Sequence, residues 1–246
     1  MIVRLLLLLA LFCPLTARAQ GDPPLIVDLS NHLVAITTGF TGATVLLFGA
    51  VESEGDLVVV VRGPVQAEMV RRKEPVLGIW INRGKAILAE VPAYYQVAAS
   101  RPLDEIAGPA VLDRHQIGLD HLAFLVRRKD RKQEDTDYRQ ALLRLKVAAG
   151  LYGAAVEPVS FVGRHLFRTE MTFPANVPTG TYSVEVYLMR RGEVVSAQTT
   201  PLIVSKIGVG AEVFDFANHQ AALYGLSAVL LAVAAGWLGA VAFRRS

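Results

Sequence analysis

Asp113, His115, Asp120 and His121 stand within nine residues of one another. Imidazole and carboxylate are ligand types for Zn²⁺ or Cu²⁺, so a metal-dependent reaction would have to sit here. The spacing is loose. Of the five histidines (His32, His115, His121, His165, His219) no two stand four apart, as one face of a helix would require. A charged, solvated surface segment has the same composition and is the simpler reading. There is no G-x-S-x-G elbow, no H-E-x-x-H, no S-x-x-K and no P-loop. Gly208-Val209-Gly210 is a lone G-x-G with no third glycine. The one cysteine, Cys13, lies in an expected leader, so the processed chain has no thiol for nucleophilic or redox work. His219, just outside a long apolar run, is either a pH-sensing group or an ordinary interfacial polar residue. The sequence therefore names no catalytic residue, no metal ligand and no cofactor.

Aromatic side chains offer recognition instead. Trp80 sits in the strand-like run Gly78-Ile79-Trp80-Ile81-Asn82. It is either a core residue, since large aromatics dominate β cores, or an exposed anchor for a partner. Tyr94 and Tyr95 are adjacent in an extended segment and so point to opposite faces. At least one of them should lie outside the core of its sheet, available to a partner.

The elements that must position these residues are framed by two apolar runs. Arg4, the run Leu5–Cys13 and Ala17-Arg18-Ala19 have the layout of a secretory signal peptide, cleaved after residue 19. The run is too short to span a bilayer, which needs about 20 apolar residues. Ala221–Phe243 is long enough: 23 residues without a charge. At 1.5 Å per residue it measures about 34 Å. Arg244 and Arg245 follow at once, so the positive-inside rule keeps residues 244–246 cytoplasmic and the body periplasmic, on the inner membrane. Ala228, Ala232, Gly236 and Ala240 recur every fourth residue, a stripe that lets a neighbouring span approach closely.

The whole chain is +3. Its 25 basic residues fall to 21 once Arg4, Arg18, Arg244 and Arg245 are set aside, against 22 acidic ones. A near-neutral body argues against a nucleic-acid partner. The basic run at 127–132 could meet anionic headgroups or an acidic partner, although such runs are commonly solvated loops.

Between the apolar runs the chain is rich in β signals. Short apolar stretches at 25–27, 33–36, 44–48, 56–62, 76–82, 86–91 and 94–99 are separated by turn residues at about 8–12-residue intervals. Leu57-Val58-Val59-Val60-Val61 has no polar alternation and reads as a strand buried on both faces. Short helices are expected within 102–118, a strand at 121–126, and a longer helix over 135–149 with Tyr138, Ala141, Leu142, Leu145 and Ala149 on its inner face and Gly150 as cap. The alternation at 182–188, the turn Arg191-Gly192-Glu193 and the run 194–204 predict a hairpin. The expected fold is mainly β, with one or two immunoglobulin-like β-sandwich lobes, a few helices and one C-terminal transmembrane helix. The expected boundaries are a leader at 1–19, a first lobe at 20–100 and a helical connection at 101–150. A second lobe at 151–207, a juxtamembrane linker at 208–220, the span at 221–243 and a tail at 244–246 complete them.

Phe40-Thr41-Gly42, Phe48-Gly49, Gly78–Asn82, Val91–Tyr95, Gly150-Leu151-Tyr152, Leu166-Phe167-Arg168, Pro174–Tyr182, Leu223-Tyr224-Gly225 and Gly236-Trp237 carry a resemblance over most of the mature chain. The chain resembles a family of uncharacterised alphaproteobacterial transmembrane proteins of about this length. No activity is established for that family, so the resemblance implies no catalytic residue. It does imply a permease resembling sulfite exporters as a neighbour. The expected function is then a membrane-anchored periplasmic interaction module, an accessory subunit whose partners are an inner-membrane protein and the lipid bilayer. Its contacts would be Trp80, Tyr94, Tyr95 and the stripe Ala228–Ala240. The alternatives are a tethered binding domain for a small solute or envelope polymer, and a metal-dependent enzyme built around His115 and His121.

Overall fold

Five apolar residues in a row, Leu57–Val61, form the centre of a strand that two cores share. In the computed structural model, which describes residues 24–127, 135–208 and 216–243, this is β4 (Asp56–Arg62). Leu57, Val59 and Val61 face one apolar cluster, and Val58 and Val60 face another. With neighbours on both edges and both faces, a strand needs no polar alternation. The expected leader, most of the basic run at 127–132, much of the juxtamembrane linker and the tail at 244–246 lie outside the described residues.

Among the described residues the protein is mainly β, 48% strand and 26% helix. One sheet has the order β1-β3-β11-β10. Its strands are β1 (Leu25–Leu29), β3 (Gly42–Val51), β10 (Ser160–Val162) and β11 (Leu166–Pro174). A second has the order β2-β13-β12-β4-β7-β9. It adds β2 (Leu33–Ile36), β7 (Tyr95–Ala99), β9 (Glu157–Pro158), β12 (Gly180–Arg190) and β13 (Glu193–Lys206) to β4. Leu47, Phe167, Met171 and Phe173 from the first sheet meet Val59, Tyr182, Val186 and Leu202 from the second in one cluster. The second sheet's other face is covered by α1 (Leu103–Ile106), α2 (Pro109–His115) and the turn at Leu119–His121, through Ile106, Leu112 and Ile117.

A division into a lobe at 20–100 and another at 151–207 does not describe the pairing. β3 pairs with β11 and β4 with β12, so both sheets mix strands from both ends of the body. Turn signals report only local chain reversal, and these partners are more than 100 residues apart.

A third sheet stands apart from the other two. It is a long hairpin, β5 (Val65–Val76) and β6 (Ile79–Pro92), with the short β8 (Leu125–Arg127) beside β6. Sequence spacing missed β5, because Arg71-Arg72-Lys73 breaks its apolar pattern. It also split β6 in two and placed a strand at 121–126 that begins only at Leu125. β6 carries two bulges, and the one at Gly84 falls where the split is expected. Between paired positions β6 carries one residue more than β5 twice, at Glu90 (φ +60°) and Gly84 (φ +76°).

The helix α3 (Asp135–Ala148) lies along the base of this hairpin. Tyr138 and Leu142 pack with Val70, Ala86, Leu88 and Val91. Gly150 (φ +70°) ends the helix in a Schellman arrangement, Gly150 N to Val147 O at 2.9 Å and Leu151 N to Lys146 O at 3.0 Å. Leu145, expected on the inner face, is exposed, and Leu143 and Val147 pack inward in its place. The last helix, α4 (Ala221–Phe243), has the expected bounds and is not buried by the rest of the protein.

Candidate functional site

Tyr94 and Tyr95 do point to opposite faces, and each meets a core. Tyr94 stacks on Phe173 (ring centroids 5.2 Å apart) in the cluster between the two large sheets. Tyr95 packs against Tyr152 in the cluster under α1 and α2. Both are at most 2% exposed, so neither offers a surface to a partner. A sheet covered on both faces gives adjacent residues two interiors, a case that the one-core reading of the pair left out.

Tyr95 belongs to a half-buried polar clamp. Its hydroxyl donates to Gln116 O (2.8 Å) and accepts from Gly118 N (2.8 Å). Arg62, at the end of β4, donates to His115 O (2.6 Å) and forms an ion pair with Glu185 on β12. The Tyr187 hydroxyl donates to the same carboxylate at 2.5 Å. Burial opposes the Glu185 charge, but Arg62 and Tyr187 outweigh it and hold the carboxyl below its ordinary range. Burial pushes the Tyr95 and Tyr187 hydroxyls up to about 12, so both stay donors at any physiological pH. A second clasp joins α3 to β5. The buried Lys146 meets Glu68 at 2.6 Å and holds its carboxyl low against the opposing effect of burial. These charges fasten elements to one another.

The four candidate ligand residues do not gather at one point. His121 Nδ1 lies 2.6 Å from Asp113 Oδ1. The His115 ring instead tilts against Tyr187 at 5.2 Å, and the Asp120 backbone carbonyl accepts from Arg139. Among the described residues no three His, Cys, Asp or Glu side chains converge. Of the four, Asp120 and His121 line a cleft of about 770 Å³, with Tyr95, Leu112 and Val156. Trp80 and Tyr94 line no part of it.

Trp80 is not in a core. It is 67% exposed at the far end of the β5–β6 hairpin, between Ile79 at 68% and Ile81 at 41%. Val76 pairs with Ile79, so Leu77 and Gly78 alone make the turn. Their φ values are +50° and +81°, the positive pair that a type I′ turn requires. Asn-Gly is the favoured filling of such a turn, whereas a residue with a bulky side chain loses roughly 1–2 kcal/mol in this conformation. Leu77 is also 99% exposed. It forgoes the roughly 1.5–3 kcal/mol that burying a leucine releases. One residue thus carries two local penalties.

The tip is apolar on both sides. Cross-strand partners share a face, so Pro75 and Trp80 lie on one side and Val76 and Ile79 on the other. Residues 75–81 carry no charge, and the stretch 71–85 around them holds five basic residues and one acidic. Arg71, Arg72, Lys73 and Lys85 are exposed there. The signals available in the sequence were the Leu-Gly turn inside the presumed strand and the bases on either side of it.

A β-rich body carried on one helix long and apolar enough to cross a bilayer is the plan of a membrane-anchored protein. Residues 24–245 match the family model described as "Putative transmembrane protein (Alph_Pro_TM)", and the chain belongs to this alphaproteobacterial family. No curated protein matches the sequence.

Proposed function

We propose that this protein is a non-catalytic, membrane-anchored interaction module. Its body lies in the periplasm, and it serves as an accessory subunit of a transport-related complex in the inner membrane, beside a permease resembling sulfite exporters. The observation that carries this reading is α4. No part of the described chain covers it, and Ala228, Ala232, Gly236 and Ala240 are all exposed on it. Small side chains of that spacing let two spans pack closely, and among the described residues there is no second span to fill that place, which supports a partner span from another molecule. Arg244-Arg245 supports the orientation through the positive-inside rule. The shifted acidic groups Asp56, Glu68 and Glu185 are each paired to Arg101, Lys146 and Arg62, which supports a structural use of the ionisable residues.

The test is purification of the full chain in mild detergent, beside a version whose span is replaced by poly-Leu. A polytopic membrane protein should co-purify with the native span and be lost with poly-Leu. Recovery with neither version overturns the subunit reading. Protease added to spheroplasts should digest the body; protection reverses the orientation.

The cleft beside Asp113–His121 supports a second reading, a tethered binding domain for a small solute or an envelope polymer. Its volume falls in the range of ligand sites. Thermal stabilisation by such a ligand, lost on filling the cleft with Ala155→Trp, is the measurement that favours it.

A further inference from the structure

We infer that the β5–β6 tip is a second membrane contact: Leu77, Ile79, Trp80 and Ile81 enter the headgroup–acyl boundary of the bilayer that holds α4.

Three observations lead there. The first is the two-sided apolar tip. A ribbon laid on a protein surface covers one face and leaves the other wet. Immersion in lipid solvates Trp80 and Ile79 together, although they lie on opposite faces. The apolar cap is the Leu77-Gly78 turn and the two rungs behind it, Val76 with Ile79 and Pro75 with Trp80, about 7 Å at 3.3 Å per residue and within the depth of interfacial insertion; the third rung pairs Ile81 with Glu74. A tryptophan at that level is the residue favoured at the boundary.

The second is charge. Arg71, Arg72, Lys73 and Lys85 form an exposed collar behind the cap, at the height of the headgroups once the cap is inserted. Long basic side chains in that position reach anionic phosphates while their stems stay in the apolar layer.

The third is topology. β4 and β13 each pair antiparallel with β12, so they run parallel and leave their sheet at the same end. β4 leads into the hairpin after two residues, and β13 leads to the span after 14. Fourteen residues reach at most about 50 Å, and the 12 residues of β5 extend about 40 Å. Among the described residues the hairpin pairs with neither large sheet and is covered only along its base, by α3 with Phe124 and Val126. Tip and span can therefore meet one bilayer.

The inference rests on the tether and not on the accessory role, so the co-purification above can fail while this contact stands. The experiment uses the full chain with Trp237→Phe, which leaves Trp80 as the sole tryptophan. It is reconstituted into vesicles of anionic and zwitterionic phospholipid. Brominated acyl chains should quench most of the Trp80 emission, and aqueous iodide should reach it several-fold less than it reaches free tryptophan. In the pair Leu77→Asn with Ile79→Thr, which suits the turn and the strand equally well, lipid quenching should fall and iodide access should rise. Quenching should also weaken in purely zwitterionic vesicles. Emission that stays unquenched by lipid and open to iodide overturns the inference. If Trp80 is then shielded only in vesicles made from native membranes, a protein covers the tip instead.

Discussion

The hairpins β12–β13 and β5–β6 close in the same way and meet different fates. Arg191-Gly192 turns the first with φ values of +54° and +80°, within a few degrees of those at Leu77-Gly78. Both are two-residue connections between long strands. In the first, the strands run through the middle of a six-stranded sheet, Val186 and Leu188 are fully buried, and the turn residue is an arginine. The neighbouring Arg190 donates to Glu54 O at 3.0 Å and ties this end to the body. In the second, the distal strands have only each other among the described residues, and the turn residue is a leucine. Identical backbone geometry does not decide what a hairpin is for. The neighbours on its faces do, and an apolar turn with no neighbours is a surface kept for something outside the chain.

The contrast should appear first as a difference in stability. Leu188→Ala opens a cavity in β12 and should cost about 2–5 kcal/mol in denaturant titrations of the protein in detergent. Ile79→Ala at the bare tip should stay within about 0.5 kcal/mol of the parent. A comparable loss at both sites breaks the comparison.

Glu185→Gln removes the charge facing Arg62 and should cost about 2 kcal/mol near neutral pH. Its pH dependence has a definite sign. The Glu185 value is lowered in the folded state, so the pair contributes fully above the ordinary glutamate value of 4.5 and is lost as pH falls through the lowered one. The parent should therefore lose stability more steeply than the Gln variant below pH 4.5. Parallel curves would assign the clamp no net worth.

Lys146→Met unclasps α3 from the hairpin base. About 1–2 kcal/mol should be lost, with hydrogen-exchange protection falling in β5 and β6 and unchanged in β12. Leu77→Asn should raise stability by about 1 kcal/mol while weakening the tip's contact with lipid. Arg191→Asn, at the matching position of the other turn, relieves the same backbone preference without touching an apolar surface. If the two substitutions also agree in their effect on lipid quenching, the tip has no special role.

Much of this architecture is legible in the chain itself. Ala221–Phe243 is long, apolar and uncharged, and few other structures accept such a run. Leu57–Val61 is legible because a strand covered on both faces has no reason to alternate. What pairs with what is not legible. β3 and β11 find each other across more than 100 residues, and nothing local records that register. Nor does Ile79-Trp80-Ile81 announce its exposure, since its local pattern is that of a core strand. Only the distance to the next covering element separates the two cases, and that distance belongs to the tertiary fold. The tyrosine pair fails for a related reason. Opposite faces were correctly implied, but whether the far face holds water or α1 and α2 depends on residues further along the chain.

The route from body to membrane runs through β13, and that has a mechanical consequence. The strand is paired along its length with β12, and its last four residues also pair with β2. A pull on the span acts along the strand, from Lys206 outward. It loads the flanking hydrogen bonds in shear, so many must yield together rather than one after another from an end. The span thus follows a strand held on both edges, so extraction along its axis meets cooperative resistance.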